Sequence, residues 1–248
     1  MVCTSRTDSD IPSLYENRVP IFDGSSDLRD VLMGKTKTIA WFVSNCNASS
    51  KREDFVEELR EHIDVDIYGQ CGPLNCSDGQ RDVCLNMLST DYKFYLSLEN
   101  SFCRDYVTEK LWNALAGNAI PVVYGAVDYS QFAPAESFID FRDFASAQHL
   151  AEHLKYLDGN QTAYEEYFEW RKHYAPKPPC SAAQRTGDEC RLTNWCRLCQ
   201  MLNDPSLPRK NYQDIECWYT GGGECGQRGP IRTANSLEAN TWVRIDAT

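Results

Sequence analysis

The chain has 248 residues, of which 42% are hydrophobic and 25% are charged, a composition that is ordinary for a globular protein with a buried core. Its formal net charge is −11, whereas nucleic acids and anionic membranes attract surfaces with an excess of Lys and Arg. The charge therefore argues against a nucleic-acid partner, and an anionic ligand would need a local basic site.

Twelve cysteines and three Asn-X-Ser/Thr sequons indicate the secretory pathway, because a high cysteine count is typical of an oxidising compartment. The sequons begin at Asn47, Asn75 and Asn160, which are the predicted glycosylation sites. No apolar run approaches the roughly 20 residues of a membrane span, and the N-terminal residues lack the apolar core of a signal peptide. We therefore expect either delivery by a signal that lies elsewhere or a chain that is a piece of a longer protein.

From Lys37 onward, predicted strands alternate with predicted helices. The strands are KTIAWFVSNC, DVDIYG, YKFYLSL, AIPVVYG and SFIDF, and the helices are KREDFVEELREHI, a short stretch at 83–88, VTEKLWNALAG, SAQHLAEHLKYLD and AYEEYFEWRKHY. This alternation predicts a parallel sheet covered on both faces, in an α/β, Rossmann-like fold. We assign this α/β unit to residues 37–175, after a short N-terminal segment and linker at 1–36.

The segment 176–248 differs in composition, and we predict a cysteine-rich C-terminal tail with one short helix near Trp195 to Leu202. Its six cysteines are Cys180, Cys190, Cys196, Cys199, Cys217 and Cys225. One C-x-x-C pair, which is half of a common zinc site, lies among them. Because a second such pair is lacking and the secretory indications are strong, we favour disulfides over zinc.

Polar and ionisable residues separate the third predicted strand from the fourth. In open α/β sheets, ligands bind outside the carboxyl ends of the strands, and phosphates bind at helix N-termini. Asp105 or Thr108 is placed to cap the following helix, and Lys110 adds a cation to its first turn. A cation there opposes the helix dipole, and a bound anion would offset that repulsion. The alternative is that Glu109 and Lys110 are solvated surface residues and that Asn100 caps a turn.

The sequence FYLSLENSFCRDYVTEKLWNALAGNAIPVV resembles the signature of the α-1,3-fucosyltransferases of glycosyltransferase family 10. That signature runs F-Y-L-x-F-E-N-S, two residues, D-Y-[VI]-T-E-K-L and then [IV]-P-V-V, and nearly every fixed position is met. The resemblance covers roughly residues 5–200. The cysteine-rich ending, with CRLC, is more similar to the plant and invertebrate enzymes that fucosylate the N-glycan core than to the Lewis-type enzymes.

The resemblance implies the two-lobed GT-B architecture, whose second lobe binds GDP-fucose. It implies that Arg52 and Lys110 neutralise the diphosphate. It further implies that Asn100 and Tyr106 hydrogen-bond the diphosphate and that Glu109 holds hydroxyls of the nucleotide sugar. Fixed cations suit the reaction, because negative charge grows on the leaving diphosphate during transfer. For Arg52, the alternative is an ordinary charged residue in the first turn of a helix.

The expected reaction is transfer of fucose, with inversion, to O3 of GlcNAc on N-glycans of glycoproteins. Inversion requires a carboxylate base for the acceptor hydroxyl, and the resemblance assigns that base to the N-terminal acceptor lobe, of which little precedes the SDIP at 9–12. We therefore predict no catalytic base within this chain. The family members are type II membrane enzymes of the Golgi lumen, and we expect their anchor to be absent here. The alternative function is a non-catalytic module that binds a nucleotide sugar or a glycan.

Two Asp-X-Asp sequences, at 8–10 and 64–66, match the metal-binding motif of another class of glycosyltransferases. In the second, alternation with apolar residues favours the polar face of a half-buried strand. We predict no metal site and no essential cofactor. The resemblance allows at most a stimulatory divalent cation, Mn²⁺ or Mg²⁺, that accompanies the diphosphate.

Overall fold

A sheet of five parallel strands forms the centre of the described part of the chain. The computed structural model describes residues 3–4, 9–12, 28–75, 81–176, 194–207, 215 and 242–244. In chain order the elements are β1 (Cys3–Thr4), β2 (Ile11–Pro12), α1 (Arg29–Met33), β3 (Lys37–Phe42), α2 (Arg52–Arg60), β4 (Asp66–Tyr68), α3 (Arg81–Thr90), β5 (Tyr92–Leu98), α4 (Glu109–Ala116), β6 (Ile120–Tyr124), β7 (Ile139–Asp140), α5 (Ala147–Gly159), α6 (Gln161–Glu166), β8 (Tyr174–Pro176), α7 (Asn194–Asn203) and β9 (Trp242–Arg244). Short 3₁₀ helices cover Tyr129–Gln131, Ala135–Ser137, Phe141–Asp143 and Glu169–Lys172.

The five-stranded sheet has the order β4-β3-β5-β6-β7, and all of its neighbouring strands are parallel. The predicted α/β class is thus confirmed. Small two-stranded sheets pair β1 with β2 and β8 with β9. In the large sheet, β4 lies on one side of β3 and the later strands lie on the other. Such a reversal is a topological switch point, where a ligand crevice forms at the carboxyl ends of the strands. The loops at 43–51 and 99–108 meet there.

Helices cover both faces of the sheet, as the nearly continuous apolar character of its strands predicts. On one face, Ile39 and Trp41 of β3 pack in the same core as residues of α2 and α5. On the other face, Ala40 of β3 packs with Leu88 of α3 and Ala114 of α4. The described part of the chain contains no helix that is long and apolar enough to cross a membrane.

Several predicted elements are longer than those observed. Strand β3 ends at Phe42 and not at Cys46, β4 begins only at Asp66, and β7 is confined to Ile139–Asp140. The last predicted helix of the α/β unit is divided into α6 and the 3₁₀ helix Glu169–Lys172. Tyr164 and Phe168 pack in the core under α2 and α5, whereas Trp170 packs in a second cluster around α4. The α-helix is interrupted by a turn at residues 167 and 168, and the 3₁₀ helix begins at the next residue.

The cysteines divide into bonded and free groups. A disulfide joins Cys46 to Cys71 and so connects the loop after β3 with the loop after β4. Cys84 and Cys103 are also disulfide-bonded. In the tail, helix α7 confirms the predicted short helix. The disulfide prediction is wrong for Cys199, whose exposed thiol is free, and it lies outside the described side chains for the other five tail cysteines.

At the amino edge of the sheet, the buried side chain of Lys35 joins two helix ends to β5. Its ammonium lies within hydrogen-bonding distance of four carbonyl oxygens, those of Tyr92 at 2.9 Å, Gly117 at 3.2 Å, Asn118 at 2.6 Å and Leu88, which share its three N–H donors. Burial lowers the pKa of Lys35 to about 7. The carbonyl groups that end α3 and α4 carry the negative end of each helix dipole and need a donor. Lys35 supplies that donor to both helices.

We expect Lys35→Met to lower the free energy of unfolding by about 2–4 kcal/mol, because several buried carbonyl oxygens lose their donor. The control is Lys37→Met, two residues later at the start of β3, since the Lys37 side chain is 44% exposed and pairs with Asp91 at 3.8 Å. Its expected effect is within about 0.5 kcal/mol. Urea denaturation measures both variants. Equal stability of the two would contradict the role given to Lys35.

We expect the double variant Cys46→Ser/Cys71→Ser to lose about 3 kcal/mol of stability, because the disulfide closes a loop with a sequence separation of 25. Thermal unfolding measures the loss as a lower Tm. Cys199→Ser is the matched control, since its thiol is unbonded, and its Tm should equal that of the unmodified chain. An unchanged Tm in the double variant would show that other contacts hold the two loops.

Candidate functional site

The loops that follow β3 and β5 are joined by hydrogen bonds across the switch point. The Ser50 hydroxyl donates to the carbonyl oxygen of Glu99 at 2.7 Å, and the Ser50 N–H donates to the carbonyl oxygen of Asn100 at 3.0 Å. The Ser49 hydroxyl donates to the same Asn100 carbonyl at 3.1 Å. The carbonyl oxygen of Asn100 therefore helps to hold the two loops together, and its half-buried side chain stays the predicted partner of a diphosphate.

Arg52, the first residue of α2, lies beneath these loops and is only 2% exposed. Its guanidinium donates to the carbonyl oxygen of Leu98 at 2.7 Å and to that of Asn45 at 3.0 Å. It also lies 5.5 Å from the ring centroid of Trp41. Arg52 thus connects the end of β5 to the loop after β3. Its neutralisation of a diphosphate stays a prediction.

Glu99, Thr108 and Lys110, which we call the Glu99 cluster, form a hydrogen-bonded group at the beginning of α4. The Thr108 N–H donates to Oε1 of Glu99 at 2.7 Å, and the Thr108 hydroxyl lies 2.9 Å from Oε2. The ammonium of Lys110 donates to Oε2 of Glu99 at 3.0 Å and to the Thr108 hydroxyl at 2.7 Å. The cluster therefore connects the residue after β5 to the first turn of α4.

The two charged members of the Glu99 cluster differ in exposure. The side chain of Glu99 is 1% exposed and that of Lys110 is 14% exposed. Burial raises the pKa of the Glu99 carboxyl above its ordinary value, and the Lys110 ammonium and the Thr108 N–H offset part of that rise. An ammonium has three N–H bonds, and two of those of Lys110 are used within the cluster. The third can bind an anion.

This arrangement changes the interpretation of the N-terminus of α4. Thr108 is the N-cap residue, but its side chain makes no capping bond to the helix. The carboxylate of Glu99 instead lies beside the helix start and accepts the Thr108 N–H. The sequence suggested that a bound anion offsets the repulsion between Lys110 and the helix dipole. An internal anion, Glu99, already fills that role.

Left-handed backbone conformations occur in both loops of the switch point. Lys51 has a φ of 55° at the N-cap of α2, and Asp105 has a φ of 59° in the loop before α4. Asp105 was a candidate cap for α4, but it lies in this turn and Thr108 is the N-cap. For residues other than glycine, such conformations cost of order 1–3 kcal/mol and cluster at functional sites. Both loops are therefore held in specific, strained shapes.

The other predicted residues lie along the same edge or apart from it. Tyr106 and Glu109 are half-buried on the segment that leads into α4. Among the predicted glycosylation sites, Asn47 is exposed in the loop after β3 and Asn75 is exposed after β4. Asn160 lies away from the site and caps α6, accepting the N–H of Ala163 at 3.2 Å. Glycosylation stays a prediction.

The two aspartates of the second Asp-X-Asp sequence have different surroundings. Asp66 is half-buried and accepts a hydrogen bond from the hydroxyl of Tyr92, and Asp64 lies before the strand. Asp8, in the first such sequence, is outside the described residues. Among the described residues there is no group of three or more His, Cys, Asp or Glu side chains that could hold a metal ion.

Sequence comparison matches residues 32–218 to the family model described as "Glycosyltransferase family 10 (fucosyltransferase) C-term". "Alpha-(1,3)-fucosyltransferase C" of Drosophila melanogaster is 44% identical over 205 residues, which are 81% of this chain and 44% of the relative. "Alpha-(1,3)-fucosyltransferase fut-1" of Caenorhabditis elegans is 50% identical over 146 residues, which are 58% of this chain and 34% of the relative. The chain thus spans less than half the length of these relatives.

Solved structures show the same fold. A structure titled "Crystal Structure of alpha1,3-Fucosyltransferase with GDP-fucose" has a TM-score of 0.52 and 23% identity, and the match covers 71% of this chain and 50% of that one. A second, titled "Crystal Structure of alpha1,3-Fucosyltransferase with GDP", has a TM-score of 0.52 and 22% identity over 72% of this chain and 50% of that one. From the family match and the identity to its relatives, this chain belongs to glycosyltransferase family 10, the fucosyltransferases.

Proposed function

We propose that the chain binds GDP-fucose at the switch point between β3 and β5, with its diphosphate at the N-terminus of α4. Membership of a fucosyltransferase family supports this proposal, as do the GDP-fucose and GDP named in the titles of two structural neighbours. The observation that carries it is the ammonium of Lys110, fixed by two hydrogen bonds beside the helix start with one N–H left over. In a chain with a net charge of −11, such a local cation is what a diphosphate requires.

The proposed chemistry follows from where charge develops. When the bond between fucose and phosphate breaks, negative charge grows on the diphosphate that leaves. A fixed ammonium and the positive end of the α4 dipole stabilise that charge without having to reorganise. Asn100 and Tyr106 hydrogen-bond the diphosphate in this proposal, Glu109 holds hydroxyls of the nucleotide sugar, and Arg52 adds positive charge from beneath the loops.

For the whole protein, we propose transfer of fucose with inversion to O3 of GlcNAc on N-glycans. A relative named "Glycoprotein 3-alpha-L-fucosyltransferase A" from Drosophila melanogaster supports this acceptor class, being 39% identical over 234 residues that make up 44% of its length. We assign the general base to an N-terminal acceptor lobe and the enzyme to the Golgi lumen. In this proposal no metal is essential, and Mn²⁺ or Mg²⁺ at most stimulates.

We expect Lys110→Met to weaken GDP binding by about tenfold to a hundredfold, the usual size of a lost hydrogen bond to a charged group. The matched control is Lys93→Met, because Lys93 is also a largely buried lysine in an ion pair, with a side chain 12% exposed and 2.8 Å from Asp158. It lies at the amino end of β5, far from the proposed site, and its GDP affinity should be unchanged. Calorimetric titration of GDP and GDP-fucose measures both variants.

Transfer to a GlcNAc-terminated N-glycan, assayed on the same samples, separates the two candidate functions. GDP binding with transfer identifies a complete enzyme, whereas GDP binding without transfer supports a nucleotide-sugar-binding module. The proposed site would be contradicted if the correctly folded chain did not bind GDP, or if Lys110→Met and Lys93→Met lost GDP affinity equally.

A further inference from the structure

The carboxylate of Glu99 is buried in a place where a neutral side chain would serve the fold at lower cost. Removing a carboxylate from water is unfavourable unless its partners compensate. Here compensation is incomplete, since burial raises the pKa of Glu99 despite the hydrogen bonds from Thr108 and Lys110. A neutral acceptor such as a Gln side chain could equally accept the Thr108 N–H. The negative charge therefore calls for an explanation beyond the capping of α4.

The charge has one ionic partner among the described residues, the ammonium of Lys110. A lysine side chain is a compact charge on a flexible stem of four carbons, and ordering it when a ligand arrives weakens binding. The Glu99 carboxylate and the Thr108 hydroxyl hold this ammonium before any ligand arrives. The side chain of Lys110 thus loses its conformational entropy during folding and not when the ligand binds. One N–H of Lys110 remains for a ligand.

Glu99 is itself packed from behind by Gly125 and Tyr129. The hydroxyl of Tyr129 is buried and has no hydrogen-bond partner among the described residues. A Cβ at Gly125 would collide with that hydroxyl and lie 3.6 Å from Cγ of Glu99. The Glu99 carboxylate, after burial, is the largest cause of the raised pKa of Tyr129. The side chain of Glu99 therefore has little room to retreat from Thr108 and Lys110.

From these contacts we propose that Glu99 is a positioning residue, which fixes the ammonium of Lys110 for the diphosphate and acts on the ligand only through that ammonium. The inference rests on the proposed function of the site. It assigns to Glu99 a contribution to diphosphate recognition and none to recognition of the guanosine part of the ligand.

The test compares the chain with Glu99→Gln, which keeps the shape of the side chain and removes its charge. Dissociation constants are measured for GDP by calorimetry and for guanosine, which lacks phosphates, by NMR titration. We expect GDP binding to weaken about tenfold, because the ammonium of Lys110 is no longer held. Guanosine binding should change by less than about twofold. A general loosening of the lobe would instead weaken both ligands together.

The pH dependence of the free energy of unfolding gives a second readout, in which Glu99→Gln gains on the unmodified chain although it binds GDP less tightly. The folded-state pKa of Glu99 is raised from 4.5, so between pH 4.5 and the raised value the folded state binds more protons than the unfolded state. The unmodified chain therefore loses stability relative to Glu99→Gln as the pH rises through this interval. As the pH rises, the stability difference should therefore shift in favour of Glu99→Gln, while its GDP affinity stays lower than that of the unmodified chain. A purely structural role would predict no selectivity between the two ligands.

Two further variants complete the experiment. In the Lys110→Met background, Glu99→Gln should cause no further change in the ratio of the GDP and guanosine dissociation constants. Thr108→Val removes the hydroxyl that contacts both charges and no helix-capping bond, since the Thr108 side chain makes none. It should weaken GDP binding selectively, by about threefold, and it serves as the test if Glu99→Gln does not fold.

The positioning role would be overturned if Glu99→Gln bound GDP at least as tightly as the unmodified chain. It would also be overturned if Glu99→Gln lost affinity for GDP and for guanosine by the same factor. Failure of the proposed function has a different signature: the unmodified chain would not bind GDP, or Lys110→Met would bind it normally.

Discussion

The ion pair between the buried carboxylate of Glu99 and the ammonium of Lys110 joins the sheet to the helix that follows its central strand. Glu99 directly follows the last residue of β5. Its carboxylate accepts the N–H of Thr108, the N-cap residue, and so orients the start of α4. The same carboxylate accepts the ammonium at 3.0 Å. Through these two contacts, Glu99 orients both the start of α4 with its dipole and the local cation. Each is a requirement for binding a diphosphate at this edge.

The two edges of the sheet use buried lysines in different ways. At the amino edge, the ammonium of Lys35 is surrounded by carbonyl oxygens that end α3 and α4, an arrangement that satisfies the backbone and leaves no donor for a ligand. At the carboxyl edge, Lys110 is held by only two acceptors and is partly exposed. Left-handed residues occur at both edges, Lys51 and Asp105 at the carboxyl edge and Asn118 at the amino edge. The proposed ligand site lies at the carboxyl edge, as expected for an open α/β sheet.

The sequence predicted the sheet well, because its strands are apolar on both faces and their spacing is regular. β5 was predicted with the bounds observed, and α4 within two residues at either end. The polar residues of the proposed site were predicted to follow a buried strand, and the structure has them at the carboxyl end of β5. The internal contacts of that edge were not predictable. The partners of Glu99 are nine and eleven residues away, and the turn that brings them together depends on the left-handed backbone of Asp105.

Lys110 and Arg52 also have internal contacts that the sequence could not predict. From sequence, a cation at the start of α4 indicated an external anion, but the nearest anion is a side chain of the protein. Arg52 was predicted as a ligand of the diphosphate, and its guanidinium contacts the carbonyl oxygens of Leu98 and Asn45 and the carboxylate of Glu53. Charge and spacing alone cannot distinguish a cation that binds a ligand from one that holds the loops around it. The signal that could have identified Glu99 is its position, as the first polar residue after a buried strand at a switch point.

Amide hydrogen exchange with and without GDP tests most directly the claim that the nucleotide binds at the carboxyl edge between β3 and β5. The account predicts slower exchange in the first turn of α4, at Glu109, Lys110 and Leu111, and in the loop at 43–51. It predicts no change at the amino edge, around 57–66, where a depression is lined mainly by carboxylates. Protection that appeared only at the amino edge, or no protection in the first turn of α4 at saturating GDP, would contradict the account.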